Sequence, residues 1–484
     1  MSAIRPLKLD PDRFFPAEPN ARAVARGLYE SVQGAPIISP HGHTDPAWFA
    51  TNENFANATE FLLVPDHYVL RMLYSQGIAL EKLGVAPKGG KPTVAPQEAW
   101  RLFAENYHLF RGTPSRIWMD HVFAEVFGID VRLNAETADT YYETITNALQ
   151  SDAYKPRALL DRFNVAFIAT TEGALDPLEH HAKIIQDGWG ARVVTTFRPD
   201  DVIDASRSDF VDNVKALGEL TGQDTTSWSG YLDALRARRR VFIAHGATAS
   251  DHGHPSAATA DLSRTECEAL FAKCLSGQSE PHEQERFRAQ MLTEMAGMSL
   301  EDGLVMQIHP GVYRNHNQAL FDRFGPDKGS DIPLPANFVE GLHPLLNKYG
   351  NEPSFSLILF TLDETTYARE LAPLAGHYPC LKLGPPWWFN DSPEGMLRFR
   401  QQVTETAGFY NTAGFNDDTR AFLSIPARHD LARRMDAHFL SRLVAEQRLD
   451  EDEAYELMQD LTSRLVRQAY KLPSAADDRA VAAE

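Results

Sequence analysis

Residues 164–173 read NVAFIATTEG: an apolar run, Val165 to Ala169, that stops at two threonines and a glutamate. A short apolar run followed by a polar cluster and then a helical pattern is the plan of one strand-and-helix unit. The plan returns at ARVVTTFRPD (191–200), GATASDHG (246–253), GLVMQIHPG (303–311), SFSLILFTLDE (354–364) and CLKLGPPWWFND (380–391). Ahead of GATASDHG, the stretch YLDALRARRRVFIAH has helical spacing, and Gly246 is placed to close that helix. APIISPHGH (35–43) and the weakly apolar NTAGFNDDTR (411–420) bring the units to eight. Alternating strands and helices predict an α/β fold with a parallel sheet. Eight of them, each ending in polar residues, predict a distorted (β/α)₈ TIM barrel with its active site at the strands' C-terminal ends. An open doubly wound sheet is the rival, but no Gly-rich phosphate loop follows any of these runs.

Working outward, residues 1–46 comprise an N-terminal segment and the first strand. Residues 47–163 predict a helical insertion after that strand, beside the barrel mouth. Its patterns are DHYVLRMLYSQG, PQEAWRLFAENYHLF and PSRIWMDHVFAEVFG, the last with Thr113 as cap, Pro114 opening the helix and Gly128 after it. Residues 164–425 carry the rest of the barrel, with a further helical excursion at 255–300 interrupted by the polar loop SGQSEPHEQE. Two helices, RHDLARRMDAHFLSRLVAEQ and DEDEAYELMQDLTSRLVRQAY, complete the fold within 426–472, and residues 473–484 are expected to form a disordered tail.

With 43% hydrophobic and 23% charged residues among 484, the composition is that of a soluble globular protein. Lys and Arg number 47 against 66 Asp and Glu, a net charge of −19, which argues against nucleic acid and anionic membrane surfaces. A small anionic substrate remains compatible if a few arginines are placed locally. Cys267 and Cys274 are two helical turns apart and predict one helix face rather than a bridge. Sparse cysteine fits a reducing compartment. MSAIRPLKLDPDRFFPAEP has no signal-peptide core, and no stretch of about 20 apolar residues exists to span a bilayer. The expected location is cytoplasmic.

The polar ends of the units carry the chemistry. In SPHGHTDP (39–46), His41 and His43 stand at i and i+2, so both rings leave the first strand on one face. Two converging imidazoles make half of a divalent-metal site, although His-x-His alone is a weak signal. In a closed barrel the eighth strand lies beside the first, which brings Asp418 and Arg420, again i and i+2, next to the histidines. Two imidazoles and a carboxylate suit zinc with positions left open; the plainer alternative for Asp418 is a turn aspartate in NDDT. Arg198 in FRPD and Arg314 in RNHN offer planar forks of donors to a carboxylate or hydroxyl, or are simply surface residues of loops. Asp66 is placed to cap the first insertion helix, with His67 and Tyr68 in its first turn. Trp387 and Trp388 in WWFND sit beside Asn390 and Asp391, and aromatic faces with polar neighbours suit sugar rings, with core packing the alternative for one of the two.

Taken in order, HGHTDP, DHY with Arg71, FRPD, SDHG (250–253), the Arg-Asn-x-Asn run, GPDKGSD (325–331), WWFND and DTRAFLS (418–424) resemble the uronate isomerases, the bacterial glucuronate isomerases of the amidohydrolase superfamily. The resemblance spans residues 41–424. It implies an aldose–ketose isomerisation, D-glucuronate with D-fructuronate and D-galacturonate with D-tagaturonate, through a cis-enediol and without nicotinamide or flavin. It further implies a divalent metal, zinc by expectation, held by His41 and His43 with Asp418, anchoring the uronate carboxylate and its neighbouring hydroxyl. Arg420 would stabilise the enediol charge. Arg198, Arg314, Trp387 and Arg420 would bind substrate, and His67 and Tyr68 would complete the proton transfers. Of the two candidate bases, Tyr68 is preferred for the carbon-bound proton, with nearby cations and its helix N-terminus expected to lower its pKa; Asp418 would move the hydroxyl proton. A small uronate is the expected partner, with no nucleic acid or membrane, and a homo-oligomer is left open. The rivals are a metal-dependent hydrolase of a sugar-acid lactone or amide, drawing on His252 and His309, and a non-catalytic sugar-acid binding protein.

Overall fold

The computed structural model describes residues 5–473, so the tail expected beyond Pro473 lies outside the described residues. Eleven short strands are present among these residues: β1 Ile37–Ser39, β2 Val165–Ala169, β3 Glu172–Gly173, β4 Val193–Val194, β5 Phe197–Arg198, β6 Ala249–His252, β7 Val305–Ile308, β8 Val312–Tyr313, β9 Ile332–Pro333, β10 Leu357–Leu359 and β11 Leu381–Leu383. One parallel sheet runs β1-β2-β4 and a second runs β11-β10-β7-β6-β5-β3, while β8 and β9 form a small antiparallel pair. The two parallel sheets share chain segments: residues 165–173 and 193–198 each contribute a strand to both. Backbone bonds from Thr170 N–H to the Val194 carbonyl (2.9 Å) and from Glu172 N–H to Thr196 (3.1 Å) carry the ladder across the break. The resulting α/β order, with seven of the eight units neighbouring their successors, is consistent with a TIM-barrel-like fold.

The eighth unit corrects the expectation. Residues 411–420 form no strand; they make a single parallel bridge, Leu383 with Thr412. Gly414 (φ +72°) and Asp418 (φ +37°) are both left-handed, and two left-handed residues within five positions cannot lie in an extended ladder. The segment still reaches the first unit, because His43 N–H donates to the Thr419 carbonyl at 3.0 Å.

Both faces of the strands are apolar, which is why the runs are continuous rather than alternating. Phe197, Met306, Ile308, Leu357, Leu359 and Leu381 pack outward against helices. Ile38, Phe167, Val194, Val305, Ile358 and Phe360 pack together in an inner cluster, completed by Val466, Ala469, Tyr470 and Leu472 from the last turns of the chain.

The stretch between β1 and β2 is largely helical. Its helices include His67–Ser75, Pro96–Glu105, Pro114–His121 and Ala138–Leu149. Thr113 caps the third as expected, its hydroxyl accepting from Arg116 N–H at 3.3 Å. Trp100, Phe103, Tyr107, Phe110 and Phe123 are fully buried in a core that continues into Ile37, Val165 and Ile168 of the sheet. The insertion is thereby welded to β1 and β2. Trp228–Ala244 ends at Gly246 (φ +88°), and the later excursion forms Arg264–Leu275 and Pro281–Asp302. Cys267 and Cys274 are both buried free thiols on one face of the first of these. Ile425–Ala445 and Glu451–Gln459, the latter continued to Ala469, make the C-terminal pair. Among the described residues no helix is long and apolar enough to cross a membrane.

Candidate active site

The C-terminal ends of β1, β6 and β7 deliver His41, Asp251 and His309 to one point, where the bend at residues 417–420 adds Asp418. Asp418 Oδ1 lies 3.5 Å from His41 Nε2 and 3.1 Å from His43 Nε2, and its Oδ2 lies 3.8 Å from His309 Nε2. Two overlapping groups of three ligand atoms result, His41–His43–Asp418 and His41–Asp251–His309, each with its atoms within 4.8 Å of one another. His309 Nδ1 is 2.6 Å from Asp251 Oδ1, so the ring donates there and turns a bare Nε2 towards Asp418. That Nε2 is buried and has no hydrogen-bond partner among the described residues. Nitrogen and carboxylate donors around an unpartnered buried imidazole suit a divalent cation.

Electrostatics agree. Burial works to raise the Asp418 carboxyl, but the imidazoles of His41 and His43 outweigh it and hold the group well below the usual carboxylate range. Burial pushes His41 down to about 4, so its ring is neutral and free to ligate. Asp251 is likewise held ionised against burial by Arg198, His309 and His41.

Around this point lies a cavity, lined by the nine residues given site roles from the sequence: His41, His43, His67, Tyr68, Arg198, Arg314, Trp387, Asp418 and Arg420. The details depart from expectation in two places. Asp418 and Arg420 do not share a strand face. The bend separates them, and Arg420 Nη1 instead meets Asp327 Oδ2 at 3.1 Å, so it is the histidines that keep Asp418 ionised. Tyr68 is not lowered: burial pushes its phenol well above 10, and Arg428 offsets only part of that. Asp391 is buried in an ion pair with Arg428.

The remaining positions follow from local structure. Asp66 caps the helix His67–Ser75, accepting from Tyr68 N–H (2.9 Å) and Val69 N–H (3.2 Å), which fixes the first turn against the cavity. Burial pushes His67 down to about 3, helped by Arg420, so that ring is neutral. Arg198 bridges Asp200 (2.8 Å) and Asp251 (3.1 Å), and Arg314 pairs with Asp331 (3.0 Å) while its guanidinium lies 5.2 Å over Trp388. Trp387 packs edge-on to His309 at 4.8 Å and joins the inner core, whereas the half-buried Trp388 faces His67 at 5.2 Å. Both indoles line the cavity.

Asp251, Asp327 and Arg428 line it too and were missed from sequence, and His309 was assigned only to the hydrolase rival. The signal for His309 and Asp251 was available, since each closes an apolar run. Arg428 lies inside a helix with nothing local to mark it. His252 points elsewhere, its Nδ1 2.9 Å from the Gln307 carbonyl.

The family model for glucuronate isomerase matches residues 19–469. The chain belongs to that family. It is 62% identical over 478 residues to a uronate isomerase of Phenylobacterium zucineum, covering 99% of this chain and all of the relative. The solved glucuronate isomerase of Caulobacter crescentus superposes with a TM-score of 0.96 at 60% identity, covering 98% of this chain and 99% of that one. The uronate isomerase of Thermotoga maritima does so at 0.89 with 27% identity, covering 96% and 99%. As a glucuronate isomerase family member the chain is an enzyme of the isomerase class, and its histidines and aspartates form groups able to hold a metal ion.

Proposed function

We propose that this chain interconverts D-glucuronate with D-fructuronate and D-galacturonate with D-tagaturonate, at the strand ends of a distorted (β/α)₈ barrel. The observation that carries the proposal is the convergence of His41, His43 and Asp418 with Arg198, Arg314 and Arg420 in one cavity of a chain in this family. A uronate is an anion, and these arginines offer it local positive charge inside a protein of net charge −19. His41, His43 and Asp418 would hold a divalent cation, zinc by its preference for such a donor set, and the bare Nε2 of His309 faces the same space. When bound, the cation supplies Lewis-acid anchoring of oxygen ligands.

The chain's own groups then divide the proton transfers. Asp418 is ionised and takes the C2 hydrogen as a proton; the C–H electrons become the C1–C2 double bond of a cis-enediol. Arg420, held by Asp327, stabilises charge on the enediol oxygens. The neutral His67 and the protonated Tyr68 donate to those oxygens and exchange the hydroxyl proton between them. Returning the carbon proton at C1 completes the ketose.

Purified chain incubated with D-glucuronate and with D-galacturonate should form keto sugars, and should leave uronolactones and uronamides uncleaved. Lactone or amide cleavage without isomerisation would establish the hydrolase reading, which the comparisons do not favour. Uronate binding without turnover would establish the sugar-acid binding reading.

A further inference from the structure

A buried chain of hydrogen bonds links His41 to the far end of the sequence. Asn416 Nδ2 donates to Tyr470 Oη at 3.0 Å, and Tyr470 Oη donates to Gln307 Oε1 at 2.8 Å. Gln307 Nε2 then lies 3.4 Å from His41 Nδ1 and 3.5 Å from the Ser250 carbonyl. None of the four side chains is more than 4% exposed. The helical segment ending at Tyr470 packs into the inner cluster of the sheet, which is how a residue at the end of the fold reaches the strand β7.

In this direction every bond points at His41, whose Nδ1 accepts and whose Nε2 therefore carries the hydrogen. A ring that binds a cation through Nε2 needs the opposite tautomer, with Nδ1–H donating to a fixed acceptor. Amide oxygen and nitrogen occupy nearly equivalent positions, so turning the amides of Gln307 and Asn416 over reverses the whole chain. His41 Nδ1–H would then donate to Gln307 Oε1, Gln307 Nε2–H to Tyr470 Oη, and the tyrosine hydroxyl to Asn416 Oδ1. Asn416 keeps one bond and one unpartnered atom in either direction. The reversal gives up only the weak 3.5 Å contact with Ser250. Two directions of nearly equal bonding make the chain a two-state element that a cation on His41 biases.

We propose that Gln307, Tyr470 and Asn416 are positioning residues whose hydrogen-bond chain sets the tautomer of His41 and thereby the cation affinity of the His41–His43–Asp418 site. The inference rests on the reading of His41 and His43 as metal ligands, so the test carries a control for that reading. Zinc affinity is measured by competition with a chromophoric chelator for the wild type, Tyr470→Phe, Gln307→Met, Gln307→Glu and His43→Ala. Tyr470→Phe and Gln307→Met should bind zinc about 10- to 100-fold more weakly. Gln307→Glu keeps an acceptor for Nδ1–H and should bind at least as tightly as the wild type. If His43→Ala loses zinc while Tyr470→Phe and Gln307→Met match the wild type, the chain has no role and the inference fails alone. If Gln307→Glu loses as much affinity as Gln307→Met, the glutamine only fills space, which also overturns it. If His43→Ala binds like the wild type, the metal reading beneath it fails. Should Gln307→Met not fold, Tyr470→Phe, which removes one oxygen, decides.

Discussion

Tyr68 and Asp418 face the same cavity with their protons held in opposite ways. The half-buried phenol is pushed upward by desolvation, so it keeps its hydrogen at neutral pH and fits the proposed role of donor. The carboxylate is equally enclosed but surrounded by imidazoles, so it stays ionised and is the group able to accept. Tyr68→Phe should therefore lower kcat by no more than about tenfold, the scale of one lost hydrogen bond to substrate. It should still exchange the C2 hydrogen with solvent, read by NMR in deuterated buffer. Loss of that exchange in a folded Tyr68→Phe protein would return the tyrosine to the role of base. At this scale the chemistry-bearing residue types were visible in sequence, whereas their pKa directions were not. Those depend on neighbours such as Arg428 and His309, which are distant in the chain.

Elements set how these residues meet. The loop carrying GPDKGSD lies on the helix His67–Ser75, and Gly329 (φ +79°) sits so close that a Cβ would stand 2.7 Å from the His67 carbonyl and 2.6 Å from Arg71 Cβ. Gly329→Ala should lift the loop, draw Asp327 from Arg420 and lower kcat/KM at least tenfold, with less than about 2 kcal/mol lost in denaturant unfolding. Unchanged kinetics would detach this loop from the chemistry. On β3, burial pushes the Glu172 carboxyl up to about 8, beside Thr195 and a His181 ring that is 3.6 Å away and neutral. A carboxyl raised in the folded state adds stability that is complete below its unfolded pKa near 4.5 and is lost as pH rises through about 8. The wild-type unfolding free energy should accordingly fall across that window relative to Glu172→Gln, at up to about 1.4 kcal/mol per pH unit, read by denaturant unfolding. Parallel pH profiles for the two proteins would refute the assignment.

At the scale of the whole molecule, the repeated plan of apolar run and polar end was legible because strands buried on both faces leave an uninterrupted trace. The eighth unit was not, since its backbone turns left-handed at Gly414 and Asp418 and makes one bridge only. Its place beside the first unit, expected from a barrel reading, is the one it takes, since His43 N–H donates to the Thr419 carbonyl. The pairing of Arg420 with Asp327, and the reach of Tyr470 to Gln307, are tertiary facts with no local pattern behind them. The proposed chemistry is one isomerisation at the strand ends, with Asp418 at its centre. The rate of keto-sugar formation from D-glucuronate by Asp418→Asn, with bound metal determined in the same sample, tests that most directly. The predicted result is a fall in kcat of about 10²–10⁴ relative to the wild type. Turnover at the wild-type rate would contradict it.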